Sequence, residues 1–79
     1  MLEESTKVFL RYCFVDQPNE EKDNILEIAI RAGITIEELI KVFSDQFASE
    51  FDEFQSIDQN IKANMKEACQ YVAGLMGLT

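Results

Sequence analysis

The sequence predicts an all-α fold: a small four-helix bundle-like domain that ends in an antiparallel helical hairpin. Apolar residues recur every three or four positions through most of the chain, and helix-capping residues separate these segments. One proline and three glycines among 79 residues leave few interruptions. With 47% apolar and 28% charged residues, the composition is that of one globular domain over residues 1–79.

The first segment predicts a helix over about residues 2–15. Apart from Arg11, residues 8–15 are apolar around the whole circumference of such a helix. Their β-branched and aromatic side chains would also suit a buried strand, but the chain offers no second strand-like run to pair with it. A helix that is apolar all round must be covered on several sides, which indicates self-association.

A second helix is predicted over about residues 20–32. Pro18 disfavours helix in the residue before it, and Asn19 can cap the helix that follows. Gly33 supplies a left-handed stop at the C-terminal end. The predicted apolar face consists of Ile25, Ile28, Ala29 and Ala32.

The third and fourth helices are predicted over about residues 36–54 and 57–76. A capping box begins each helix, formed by Thr35 with Glu38 and by Ser56 with Gln59, and Gly77 ends the last one. Because so few residues separate the two helices, they must form an antiparallel hairpin. The apolar stripe of the third helix contains Phe43, Phe47, Phe51 and Phe54.

Residues 24–43 resemble a helix-turn-helix unit in their spacing. The small residue, the turn glycine and the two core residues of such a unit fall at Ala29, Gly33, Leu39 and Val42. The helix that would read DNA is predicted to expose Glu37, Glu38, Lys41, Ser44 and Asp45. Its two N-terminal carboxylates would meet the DNA phosphates first, so the resemblance lies in packing and not in chemistry.

The residue types that catalysis and metal binding require are scarce. The chain has no histidine or tryptophan, no glycine-rich phosphate loop and no nucleophile with an identifiable base. The carboxylates of residues 50–58 lack the alternating ligands and turn glycine of an EF-hand loop. Cys13 and Cys69 form no CxxC pair, so both are predicted to be small buried hydrophobic residues. We expect no enzyme activity, no cofactor and no metal site.

Acidity is the strongest global feature of the sequence. The formal net charge is −8, and residues 37–58 hold seven carboxylates against one lysine. Such a field repels nucleic acid and attracts a basic protein, although solubility alone also explains an acidic surface. The candidate partner-binding residues are Glu37, Glu38, Asp45, Glu50, Asp52 and Glu53.

The predicted function is that of a small, non-catalytic module for protein–protein interaction or regulation. The first alternative is an acidic inhibitor that mimics nucleic acid and occupies a basic site on its partner protein. A helix-turn-helix-like transcription regulator is the second alternative, which the charge disfavours.

Two apolar surfaces that one short chain cannot easily bury predict a homodimer. The first helix is apolar all round, and the third helix outruns the second, so that its aromatic end would lie uncovered in a monomer. The candidate dimer or core stripe consists of Phe9, Tyr12, Phe51 and Phe54.

The sequence also predicts a cytoplasmic protein that does not enter a membrane. No apolar run approaches the roughly 18 residues of a membrane-spanning helix. The segment Met1-Leu2-Glu3-Glu4 lacks the basic start of a secretory signal.

Overall fold

A computed structural model of the chain describes residues 1–16, 24, 27–29 and 31–77. Over these residues the chain is helical, with short turns and no strand. In chain order they form α1 (Glu4–Arg11) with a π-helical turn (Tyr12–Asp16), α2 (Ile36–Phe47) with a 3-10 turn (Ala48–Glu50), α3 (Phe54–Ala63) and α4 (Met65–Leu75). Residues 24, 27–29 and 31 are also helical. The predicted all-α, bundle-like fold is confirmed.

The start of α1 is capped by a residue from another helix. Its N-cap residue, Glu3, makes no side-chain capping bond. Instead, Asn60 Oδ1 of α3 accepts hydrogen bonds from the Glu3 backbone N–H at 2.9 Å and from the Thr6 hydroxyl at 2.7 Å. These bonds satisfy a donor that the first turn of a helix leaves without an internal partner. The prediction of helix over strand in this segment is confirmed.

The first helix ends in a wider turn that the sequence did not predict. In the π-helical turn Tyr12–Asp16, Cys13 and Phe14 are buried, whereas Val15 is 41% exposed. On α1, Val8 is 53% exposed. The segment that was expected to need cover on every side therefore keeps two apolar side chains open to solvent.

The end of the second predicted helix is as expected, but its buried face is not. The Ala32 N–H donates to the Ile28 carbonyl at 2.9 Å, and Gly33 follows with φ +81°, the left-handed stop that was predicted. Ala29 is buried, but Ile28 is 65% exposed and Ala32 is exposed, so the predicted apolar face is wrong at these two positions. The predicted features outside the described residues are Pro18, Asn19, Ile25 and the start of this helix.

The helix α2 begins as predicted and ends earlier. Thr35 Oγ1 accepts a hydrogen bond from the Glu38 backbone N–H at 3.2 Å, which is the threonine half of the capping box. The α-helix ends at Phe47, and after the 3-10 turn Phe51 is extended, with φ −127° and ψ 115°. The predicted continuous helix over residues 36–54 is therefore wrong beyond residue 47.

Aromatic packing explains this break. The break turns the rings of Phe51 and Phe54 onto Phe9, whose ring centroid lies 4.9 Å from that of Phe51 and 5.6 Å from that of Phe54. It also places the centroids of Phe51 and Tyr12 5.1 Å apart. Edge-to-face contacts at such distances add to the free energy of burial. A straight helix would have carried Phe51 and Phe54 past the rest of the molecule.

The predicted fourth helix is two helices. α3 begins at Phe54, so Ser56 lies inside a helix rather than capping one. Asn64 interrupts the helix, because its φ of −132° and ψ of 39° are not helical. Its side-chain amide donates to the Asn60 carbonyl at 3.0 Å. Such side-chain competition for backbone groups is typical of asparagine. Gly77, with φ +72°, provides the predicted stop after α4.

The core lies where α1 meets α3 and α4, where the π-helical turn meets α2 and α4, and where α2 meets α4. The predicted hairpin paired residues 36–54 with residues 57–76. The structure contains the part of this pairing in which α2 packs on α4. α2 and α3 follow one another in the chain but are not closely packed on each other. The largest fully buried side chains are Phe9, Leu10, Ile40, Ile61, Val72, Thr6 and Cys13.

Candidate functional site

All of the candidate acidic residues are exposed, but they do not form one cluster. Glu37 and Glu38 lie in the first turn of α2, and Asp45 lies in its last turn. At 1.5 Å per residue, about 12 Å of helix separates Glu37 from Asp45. The remaining carboxylates, Glu50, Asp52 and Glu53, lie together in the connection from α2 to α3. We call this connection, residues 48–53, the acidic turn.

Few of these carboxylates are neutralised by the chain itself. Glu37 Oε2 lies 3.6 Å from Lys41 Nζ, and Glu50 Oε1 accepts a hydrogen bond from the Tyr12 hydroxyl at 3.2 Å. Among the described residues, no ion pair involves Glu38, Asp45, Asp52 or Glu53. Their charges therefore face solvent, where they attract cations over a distance of about 8 Å at physiological salt.

A groove of about 270 Å³ lies between α2 and α3. It exists because α2 packs on α4 while α3 packs on α1, which leaves the space between α2 and α3 unfilled. Its apolar lining comes from Ile40, Phe54, Ile61 and Met65, and its charged rim from Lys41, Asp45, Asp58 and Lys62. The acidic turn connects the two helices that form the walls, but none of its residues lines the groove.

Ser44 is the polar residue in the wall of this groove. The sequence predicted an exposed serine, but Ser44 is only 5% exposed. It lies one helical turn after Ile40, on the buried face of α2, and its small side chain leaves the space that a leucine would fill. Val42 was predicted to be a core residue of the helix-turn-helix unit and is instead 59% exposed, whereas Leu39 is buried as predicted.

The candidate dimer or core stripe is packed within the chain. Phe9 is fully buried, and Tyr12, Phe51 and Phe54 are half-buried. Seven aromatic rings form one continuous chain of contacts, with neighbouring centroids 4.9 to 6.5 Å apart. In order these are Phe54, Phe9, Phe51, Tyr12, Phe47, Phe43 and Phe14. The aromatic end of the third predicted helix is thus covered by α1.

Sequence reasoning missed a polar junction that holds the first residues against α3 and α4. Besides Asn60, Glu67 takes part: its Oε2 accepts from the Leu2 backbone N–H at 2.9 Å. Asn60 Nδ2 also donates to the Met1 carbonyl at 3.3 Å. The only sequence signal was the pair Asn60 and Asn64, two helix-disfavouring residues one turn apart in an otherwise regular helical pattern.

The cysteines differ in environment. Cys13 is buried as predicted, whereas Cys69 is half-buried against the core. Burial raises the pKa of the Cys69 thiol, and the negative charge of Glu37 raises it further. The thiol is therefore less reactive than an exposed one, because the thiolate is the nucleophile.

Neither a group of metal-ligating side chains nor a membrane-spanning helix occurs in the described part of the chain. Within it, no group of three or more histidine, cysteine, aspartate or glutamate side chains is placed to hold a metal ion. No helix among residues 1–16, 24, 27–29 and 31–77 is long and apolar enough to span a bilayer.

No protein-family model, no curated protein and no solved structure matches this chain.

Proposed function

We propose that this protein is a small, non-catalytic module that binds a basic partner protein through the acidic turn and the adjoining end of α2. The observation that carries the proposal is the exposure of Asp45, Asp52 and Glu53 without an ion pair among the described residues. Carboxylates that the chain does not neutralise can pair with cations of a partner at little cost in internal contacts. Such complementarity raises association rates and selects against acidic partners.

Reversal of these charges tests the proposal. A variant with Glu50→Lys, Asp52→Lys and Glu53→Lys should lose binding to the partner recovered by affinity capture. The wild-type affinity should fall steeply with added salt, because exposed charges are screened. The matched control reverses three exposed carboxylates elsewhere, Glu3→Lys, Glu4→Lys and Glu27→Lys, and gives the same net charge. If both triple variants bind equally well, or if binding is independent of salt, the acidic surface serves solubility only.

The first alternative function, a nucleic-acid mimic, uses the same carboxylates. It differs in what the partner does with its basic site. If a DNA or RNA oligonucleotide competes with this protein for the partner, the site is one that normally binds phosphates, and the protein acts as an inhibitor of it.

A transcription regulator that reads DNA remains the second alternative. The described residues include a helix that ends before Gly33 and then α2, in the order of a helix-turn-helix unit. However, the first turn of α2 exposes Glu37 and Glu38 where DNA phosphates would approach. We expect no retardation of duplex DNA in a gel at low salt; retardation would favour this alternative.

We also propose that the protein forms a homodimer and is cytoplasmic. Val8, Val15 and Val42 are 53%, 41% and 59% exposed, and such apolar side chains can contribute to a seam between two copies. Fractionation of cells that express a tagged chain tests the cytoplasmic location.

A further inference from the structure

We propose that the groove between α2 and α3 binds a partner segment that inserts an apolar anchor side chain and places a lysine or arginine beside Asp45. This inference rests on the proposed function and names the chemistry of its partner. It is carried by three features of the groove: its size, its apolar lining and the distribution of charge on its rim.

The size of the groove suits one or two large side chains. At about 270 Å³ it lies near the lower end of the roughly 300–1,000 Å³ range of pockets that enclose drug-sized ligands. It exceeds the roughly 150 Å³ of an apolar cavity that holds one benzene ring. One or two leucine, methionine or phenylalanine side chains therefore fit it, against the lining of Ile40, Phe54, Ile61 and Met65.

The charges on the rim of the groove favour a basic residue of the partner next to such an anchor. On the α3 side, Lys62 Nζ lies 2.9 Å from Asp58 Oδ2, so this wall neutralises itself. On the α2 side, Lys41 is 3.6 Å from Glu37, which lies outside the groove. Asp45 is left as the charge on the rim without an ion pair among the described residues.

The position of Asp45 also orients the partner segment. Asp45 lies in the last turn of α2, at the end of the helix that leads into the acidic turn. The basic residue of the partner therefore lies towards the acidic turn, and the apolar anchor lies towards Ile40 and Met65. An amphipathic helix with anchors one turn apart and lysines beside them has this pattern.

Two synthetic peptides separate this inference from the proposed function. Both are amphipathic helical peptides with the same lysines; one carries leucine and phenylalanine anchors one turn apart, and the other has alanine at both anchor positions. Titrated into the ¹⁵N-labelled protein, the anchored peptide should shift the amide resonances of residues 40–45 and 54–62. The alanine peptide should bind at least about tenfold more weakly, because burial of one large apolar side chain accounts for that factor.

Protein variants assign the binding to the groove. Asp45→Lys should weaken binding of the anchored peptide, whereas Glu38→Lys, the same change at an exposed residue on the same helix, should not. Ser44→Leu should also weaken it by filling the groove, provided that circular dichroism shows a cooperative melt. If Ser44→Leu does not fold, the difference in affinity between the anchored peptide and the alanine peptide decides the matter.

Each contrary outcome overturns the inference in a distinguishable way. If the two peptides bind equally and the charge reversal in the acidic turn abolishes both, the acidic surface binds cations without the groove, and the proposed function stands alone. If neither peptide shifts the groove resonances, the groove is not a docking site, and the captured partner tests the proposed function separately. If those resonances shift when the protein alone is concentrated, the occupant is a second copy.

Discussion

Asn60 shows how one side chain can replace a local helix cap. Its Oδ1 accepts from Glu3 and from Thr6, and its Nδ2 donates to Met1, so a single amide serves three groups among the first six residues. We expect Asn60→Ala to lower the free energy of unfolding by about 1–2 kcal/mol, the usual cost of a lost cap with a lost hydrogen bond. Chemical denaturation followed by circular dichroism measures this.

Gln59→Ala is the control for Asn60→Ala. Gln59 is exposed on the same helix, and its replacement by a strong helix former should change the stability by no more than about 0.5 kcal/mol. Equal effects of the two substitutions would contradict the capping role of Asn60. The sequence could not reveal this role, because the capped residue lies in a distant part of the chain.

Cys69 carries a prediction about reactivity and pH. Since burial and Glu37 raise the pKa of its thiol, the thiolate appears only at higher pH than in the unfolded chain. The alkylation rate of Cys69, read by mass spectrometry against pH, should rise at higher pH in the folded protein than in denaturant. Glu37→Gln should move this rise partly back, whereas Glu38→Gln should leave it unchanged. Coincident curves for folded and unfolded protein would contradict the shift.

At the scale of the helices, two glycines allow the effect of backbone conformation on stability to be measured separately from the effect of packing. An added Cβ would meet nothing within 4 Å at Gly33 or at Gly74, but Gly33 has φ +81° and Gly74 is helical. Gly33→Ala should therefore destabilise the fold by about 1 kcal/mol or more, because alanine resists the left-handed conformation. Gly74→Ala should stabilise it by up to about 1 kcal/mol. Denaturant midpoints of the two variants should move in opposite directions, and a shift in the same direction would count against this assignment.

The helix ends that the sequence predicted correctly are those with local causes. Thr35 caps with a side chain three residues from its donor, and Gly33 and Gly77 act through their own φ angles. The break after Phe47 has a distant cause, because the contact of Phe51 with Phe9 stabilises it. The phenylalanine spacing runs through the break without a change, so periodicity alone predicts one long helix there.

At the scale of the whole molecule, the two parts of the candidate site differ in how far the sequence predicts them. The acidic residues follow from composition, since carboxylates at helix surfaces and in turns stay in water. The groove follows from the splay of α2 and α3, which depends on which helices pack together. Ser44 was misassigned for the same reason, because its burial depends on the wall opposite it.

Self-association is the prediction that involves the whole surface. The structure packs Phe51 and Phe54 against Phe9, so the seam of a dimer must use other apolar side chains, of which Val8 and Val42 are among the most exposed. Each copy carries a net charge of −8, so two copies repel at long range, and an apolar seam has to overcome this repulsion.

This balance predicts the sign of a salt effect. The Debye length falls from about 10 Å at 0.1 M salt to about 3 Å at 1 M, so added salt weakens the repulsion and leaves the apolar contact intact. We therefore expect the dimer to strengthen with salt, whereas binding to a basic partner weakens. Sedimentation equilibrium at micromolar concentration should give about twice the chain mass of 9.1 kDa, and Val42→Asp should shift the mass towards the monomer. A mass of 9.1 kDa at every salt concentration would show a monomer, in which case the exposed valines are ordinary surface residues.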